Sequence, residues 1–248
     1  MTGGGAGPAA DGAGRLPLTA LPVGDHGLLI ELTRATDVEA LHAEVLRRAA
    51  DGTLPAVREV VPAARTVFLD GLADPRALAA ELADWRIPPL TSGDRPAVEI
   101  PVHYDGPDLA AVAALWGVTP DEVVQLHSGA RFRVAFCGFA PGFGYLTGLP
   151  ERLHVPRRAT PRTRVPVGSV GLAGPYTGVY PRSSPGGWQL IGRTDAVLWD
   201  PRREPAALLA PGTPVRFVPA DAPVPARRTT PAGAAPARPD RTTEEPAR

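Results

Sequence analysis

The sequence predicts two successive folding units, an α+β unit of ferredoxin-like order and then a mostly-β barrel or sandwich. Three observations predict this. Helical and strand periodicities alternate up to about residue 90. Beyond two short helical segments, brief apolar runs punctuated by proline and glycine continue to residue 219. Both ends of the chain lack large apolar side chains, being Gly/Ala-rich at the start and rich in Pro, Ala, Arg and Thr at the finish. Such ends cannot bury enough surface to offset their ordering entropy, and both are expected to be disordered. The expected boundaries are therefore a disordered tail over 1–15, the α+β unit over 16–94, the barrel over 95–219 and a disordered tail over 220–248.

In the first unit, residues 28–32 form an apolar run of strand length. Thr36 with Glu39 makes a capping box opening a helix whose apolar residues Val38, Leu41, Val45 and Leu46 share one side. Residues 57–61 and 66–69 read as two strands joined tightly through Pro62-Ala63-Ala64. Asp74 followed by Pro75 is a cap with proline at the first helical position, starting a second helix that runs to about Trp85. After the link IPPLTSGDRP, residues 97–102 form a further strand. It either completes the ferredoxin-like order of strand, helix, strand, strand, helix, strand, or opens the next unit.

In the second unit, Asp108 caps a short helix that stops at Gly117. Thr119-Pro120-Asp121-Glu122 repeats the arrangement of cap, proline and N3 glutamate, and launches a helix to about His127. The helical period then ends. Phe132, Val134 and Phe136 alternate with Arg131, Arg133 and Ala135, the pattern of a half-buried strand. Apolar runs at 168–173, 188–191, 197–199 and 215–218 supply further strands, giving a β-barrel or sandwich that carries two helices.

Composition excludes several functions. The formal net charge is +0, so neither nucleic acid nor an anionic membrane surface is indicated as a partner. The chain has no lysine, which removes Schiff-base and P-loop lysine chemistry and leaves arginine as the cation for any ligand. Cys137 is the single cysteine, and there is neither a long apolar run nor a secretory signal, so a soluble cytoplasmic protein is expected.

Residues 134–194 hold more glycine, proline and aromatic punctuation than core packing requires. The glycines match neither the dinucleotide fingerprint nor a P-loop, and either shape barrel corners or line a ligand-facing surface. Arg157 and Arg162 follow prolines, and Arg193 sits beside the Gly186-Gly187-Trp188 turn, which makes these three the candidate anion contacts. Trp188 and Tyr145 either stack on a ligand or pack the core. His127, the candidate catalytic residue, is either a cation favoured by a helix C-terminus or a proton carrier. His103, His127 and His154 are too widely spaced for a zinc cluster, so no metal site is expected. The serines lack a nucleophile elbow.

At these motifs the chain resembles a known family. GFAPGFGYLTGLP, PRRATPRTRVPVGSVGLAG and YPRSSPGGWQLIGRT, with LHSGARF and Pro107-Asp108-Leu109, are similar to the 5-oxoprolinase B subunit (PxpB), a family also described as KipI and as allophanate hydrolase subunit 1, with a carboxyltransferase subdomain C/D-like architecture. The resemblance covers nearly everything from Leu16 to Pro219. It implies a cyclophilin-like barrel after the α+β domain, and ATP-dependent opening of 5-oxo-L-proline to L-glutamate with PxpA- and PxpC-like partners. ATP with Mg2+ would then act at the level of the complex. It also admits a KipI-like inhibitor of a sensor histidine kinase, or one half of a biotin-dependent carboxyltransferase acting on a urea-like amide. Residue by residue, it implies substrate- or nucleotide-binding roles for Arg157, Arg162, Ser169, Thr177, Ser184, Gly186, Gly187, Trp188 and Arg193. Loop-shaping roles fall on Gly138, Pro141, Gly142 and Tyr145, within a motif that also includes Phe139, Phe143, Tyr180 and Pro185. Gly144 stands where the family pattern suggests proline.

Overall fold

A computed structural model describes residues 14–90 and 96–220. Most of both expected tails, and the middle of the IPPLTSGDRP link, lie outside the described residues. Gly14 and Arg15, assigned from sequence to the first tail, belong to the first unit. Gly14 exchanges backbone hydrogen bonds with Ile87, and Arg15 pairs with Asp84 at 2.6 Å.

The first unit contains β1 (Leu18–Val23), β2 (Gly27–Leu32), α1 (Ala35–Ala50), β3 (Glu59–Pro62), β4 (Thr66–Asp70) and α2 (Pro75–Leu82). The strands form an antiparallel sheet in the order β1-β2-β4-β3. Alternation along β2 and β4 turns Leu28, Ile30, Leu32, Val67 and Leu69 inward, where they meet Val38, Leu41 and Val45 of α1 and Leu78 and Leu82 of α2. Leu46, expected on the same helix side, is 47 % exposed. Asp74 caps α2 as its sequence predicts, accepting the amides of Arg76 and Ala77 at 3.0 Å. The Thr36–Glu39 capping box does not form. The N-cap of α1 is Arg34, and Glu39 accepts a hydrogen bond from Thr147 of the second unit at 3.2 Å. The strand expected from 97–102 opens the second unit, and β1 supplies the fourth strand of the first sheet.

The second unit comprises β5 (Val98–Val102), α3 (Leu109–Trp116), α4 (Pro120–Gly129), β6 (Phe132–Cys137), β7 (Gly144–Thr147), β8 (Arg162–Val165), β9 (Ser169–Ala173), β10 (Tyr176–Val179), β11 (Ser184–Gly186), β12 (Gln189–Arg193) and β13 (Pro214–Pro219). Seven strands form one sheet in the order β12-β9-β10-β7-β6-β13-β5. Its two edges meet: His103, just past β5, and Arg193 exchange backbone hydrogen bonds of 2.8 and 2.9 Å, so the sheet curls into a nearly closed barrel. The approach is so close that a Cβ on Gly192 would lie 2.5 Å from the His103 carbonyl oxygen, which explains glycine there. Val102, Val134, Leu146, Val170, Leu172, Val179, Ile191 and Phe217 fill the interior, and α3 and α4 add Val112, Ala113 and Val123.

Gly117 ends α3 in the left-handed conformation, and the Thr119–Glu122 capping box forms as expected. Residues 197–199 are not a strand. Trp199 makes only an isolated bridge to Ala207. Among the described residues, no helix is long and apolar enough to cross a membrane.

Candidate functional site

Strands β9, β10 and β12 carry side chains on two faces. Val170, Leu172, Val179 and Ile191 point into the barrel, while Ala173, Tyr180 and Leu190 join a second cluster with Phe143, Val165 and Trp188. The paired strands β8 and β11 lie over this second cluster. Between them opens a pocket of about 260 Å³, walled by Phe139, Phe143, Tyr145, Tyr180 and Trp188 and rimmed by Arg157, Pro185, Gly186 and Gly187.

Phe143 organises the walls. Its ring meets those of Phe139, Tyr145, Tyr180 and Trp188 edge-on at centroid distances of 5.3, 4.9, 5.5 and 5.5 Å. Glycine is what lets rings of this size approach the strands: a Cβ on Gly178 would stand 2.9 Å from Phe143 and 3.0 Å from Trp188, and one on Gly186 2.5 Å from the Tyr180 hydroxyl. The loop 138–143 closes through hydrogen bonds from the Phe143 amide to the Ala140 carbonyl and from the Gly138 amide to the Phe143 carbonyl. It holds Phe139 at φ 68°, a left-handed conformation that costs a non-glycine residue about 1 kcal/mol, and leaves its ring 56 % exposed at the pocket edge. Gly142, at φ 84°, lets the chain at Leu198 and Trp199 pack against the loop. Gly138 meets no such steric demand, and Pro141 is exposed.

A buried carboxylate supports the rim from behind. Asp108, expected as a helix cap, makes no capping bond. Its Oδ1 instead accepts from Arg158 at 2.7 Å and Arg162 at 2.8 Å, and its Oδ2 accepts the Leu190 amide at 2.7 Å. Burial by itself would raise this carboxyl's pKa. The hydrogen bonds from Arg162 and the Leu190 amide, with the charges of both arginines, outweigh burial and hold it below the ordinary value. These bonds, and that from the Arg158 amide to the Gly187 carbonyl at 2.8 Å, fix the segment that presents Arg157. Arg157 itself forms no ion pair within 4.0 Å among the described residues. It is the uncompensated cation of the pocket.

The structure thus brings together Arg157, Tyr145, Gly186, Gly187 and Trp188 from the expected set, and leaves the others elsewhere. Arg162 is committed to Asp108. Arg193 sits at the barrel closure, paired with Asp105 at 2.9 Å. Ser169 is buried and donates to the Pro166 carbonyl. Ser184 is buried in β11, where its hydroxyl finds no partner among the described residues. Thr177 is fully enclosed 3.5 Å from His127 Nε2.

His127 is the largest correction. It is 0 % exposed, packed between the tilted rings of Phe132 and Phe217, with Nδ1 bonded to the Tyr104 hydroxyl at 2.8 Å. Burial lowers its pKa to about 3, so it is a neutral core histidine and not a helix-terminal cation, and it does not reach the pocket. From sequence, Asp108 reads only as a helix cap and part of a family motif, and Phe143 only as part of the loop motif, with no part in a site for either. The available signal for Phe143 was its place between two glycines in the 138–145 loop motif.

Residues 18–209 match the family model described as carboxyltransferase domain, subdomain C and D. The chain is 48% identical over 174 residues to the 5-oxoprolinase B subunit of Escherichia coli O157:H7, covering 67% of this chain and 79% of that one. It is 46% identical over 157 residues to the protein of the same name from Haemophilus influenzae, covering 62% and 74%. Among solved structures, TTHA0988 aligns with a TM-score of 0.65 at 36% identity, covering 80% of this chain and 41% of that one, so this chain spans about two fifths of that protein. The urea amidolyase of K. lactis shares the fold at 18% identity, with a TM-score of 0.62 over 83% of this chain and 15% of that one.

Proposed function

The chain belongs to the carboxyltransferase subdomain C and D family, and from that premise we propose that it is the PxpB-type component of an ATP-dependent 5-oxoprolinase, opening 5-oxo-L-proline to L-glutamate in the cytoplasm. The observation that carries the proposal is the aromatic pocket with Arg157 at its rim. A five-membered lactam bearing one carboxylate is small, flat and anionic. Aromatic faces suit its ring, and an unpaired guanidinium suits its carboxylate.

The lactam is unstrained and resonance-stabilised. ATP would transfer its terminal phosphoryl group to the carbonyl oxygen and leave as ADP. One water would add to the activated carbon, and the C–N bond would break with a proton passing to nitrogen, giving an acyl phosphate. A second water would cleave that to the carboxylate and free phosphate. Within this scheme the chain's own groups bind and orient: Arg157 holds the carboxylate, and the rings of Phe143, Tyr145 and Trp188 exclude bulk water. A nucleoside triphosphate exceeds a pocket of about 260 Å³ with one free cation, so ATP and Mg2+ are assigned to the complex with PxpA- and PxpC-like partners. The family description and the shared fold with a urea amidolyase favour one second reading, half of a biotin-dependent carboxyltransferase acting on a urea-like amide.

Reconstitution with PxpA- and PxpC-like proteins tests the proposal. ATP-dependent glutamate release should require this chain, and Arg157→Ala should lower kcat/KM by about 10- to 100-fold with an unchanged unfolding midpoint. Full activity without the chain would overturn the assignment, and biotin dependence would establish the second reading.

A further inference from the structure

A second cavity opens along the seam between the two units, away from the aromatic pocket. One lobe of about 330 Å³ adjoins another of about 270 Å³. Ala43, Leu90, Ala135 and Pro211 give it largely apolar walls, contributed by α1, the segment after α2, β6 and the turn before β13.

Two opposite charges line it. The Glu39 carboxylate is partly buried and receives a hydrogen bond from Thr147 Oγ1 at 3.2 Å. The Arg133 guanidinium donates from Nη1 to the Gly212 carbonyl at 2.9 Å. Neither forms an ion pair within 4.0 Å, with each other or with another group among the described residues. The cavity's other ionisable groups are accounted for. Arg47 is held by Glu44 and Asp51, and burial lowers the pKa of His42 and keeps it neutral.

Opposite charges beside apolar walls attract strongly and ordinarily close on each other. Here Thr147 engages one and the Gly212 carbonyl the other, and both line a space large enough for a small molecule. The geometry points to this seam cavity as a binding site for the zwitterion of a free α-amino acid, its ammonium on Glu39 and its carboxylate on Arg133. One ligand then neutralises both groups, which separate anions or cations do not. Burial also pushes the Glu39 carboxyl up, against the Thr147 bond and the Arg133 charge, and a bound ammonium would reverse that. The inference stands apart from the lactam chemistry, although it sharpens it: L-glutamate carries the required ammonium, and 5-oxoproline does not.

Titration calorimetry on the full chain, with L-alanine, L-glutamate, N-acetyl-L-alanine and ethylamine as probes, tests it. The two zwitterions should bind at least about tenfold more tightly than the singly charged probes. Glu39→Gln, which keeps an acceptor for Thr147, and Arg133→Gln should each weaken them by about tenfold at an unchanged thermal midpoint. Arg157→Ala should leave this binding intact, so failure at this site is distinguishable from failure of the oxoprolinase assignment. Equal binding of N-acetyl-L-alanine, affinities indifferent to both substitutions, or no binding of either zwitterion would each overturn the inference.

Discussion

The core of the first unit is filled by aliphatic side chains, Leu28, Ile30, Leu41, Val45, Val67 and Leu69 among them, with Trp85 beside them. The cluster outside the barrel is built from Phe143, Tyr180 and Trp188 set against Gly178 and Gly186. Aliphatic side chains fill volume, and their rotamers can readjust when one is replaced by another of similar size. Rings resting on bare backbone have no such freedom, since any added atom meets a flat surface on one side and a strand on the other. The first region is therefore specified by total volume, the second by which positions lack a side chain. That difference is what a binding surface demands, because its rings must keep one arrangement while one side stays open.

Asp108→Ala strands Arg158 and Arg162 without their buried partner and should cost about 3–5 kcal/mol in urea unfolding at pH 7. A loss below 1 kcal/mol, of the size of a surface pair, would mean that the arginine loop holds itself. The packing contrast is sharpened by pairing two substitutions. Gly178→Ala adds one methyl between Phe143 and Trp188 and should cost about 1–3 kcal/mol, more than the volume-conserving Leu41→Met. Equal losses would dissolve the distinction.

Acid tests the two folding units, each through its own buried histidine, His42 on α1 and His127 in the barrel interior. His127 falls from 6.5 to about 3 in the fold, and His42 is lowered too. An unfolded chain takes up protons that these residues refuse when folded, so stability should decline as pH drops from about 6.5 toward 3. Asp108 adds to the decline only below its ordinary value of 3.8, because its stabilisation is complete above that value and is lost as pH falls through the lower folded one. Comparing urea midpoints at pH 7 and pH 4.5, His127→Gln should narrow the drop and leave the His42 share. An unaltered drop would show that His127 does not titrate alone on unfolding. The smallest effect belongs to Arg193→Ala, which removes a half-exposed pair with Asp105 and should change stability by less than about 1 kcal/mol.

Two copies of one motif show what was legible in the sequence and what was not. Thr119 and Glu122 form a capping box, whereas Thr36 and Glu39 do not: α1 starts one residue before Thr36, with Arg34 as N-cap, and Glu39 is taken by Thr147 from 108 positions away. Asp108 likewise holds the N-cap position read from sequence, but its carboxylate meets arginines 50 and 54 positions on in place of the helix amides. The strands β7, β8, β10 and β11 span three or four residues, too few to display a period. The pocket was legible where glycine and aromatic residues alternate in one loop. Whether a given arginine was free or already paired depended on distant carboxylates, and for that reason Arg157, Arg162 and Arg193 looked alike. The strand at 97–102 could be read from sequence either as closing the first unit or as opening the second, and only its pairing with β13 decides between them.

That pairing has a consequence for synthesis. Val98–Val102 runs parallel to Pro214–Pro219, and β13 separates β5 from β6 in the sheet. A ribosome making the chain releases every strand of the first sheet by Asp70, but β5 must wait for its only neighbour along that edge until the last barrel strand has been translated. At elongation rates of about 5–20 residues per second this is a delay on the order of ten seconds. During that interval Ile100 and Val102 have no finished barrel to enter. A nascent chain stalled before Pro214 should therefore show a protease-resistant first unit and a β5 segment still open to cleavage.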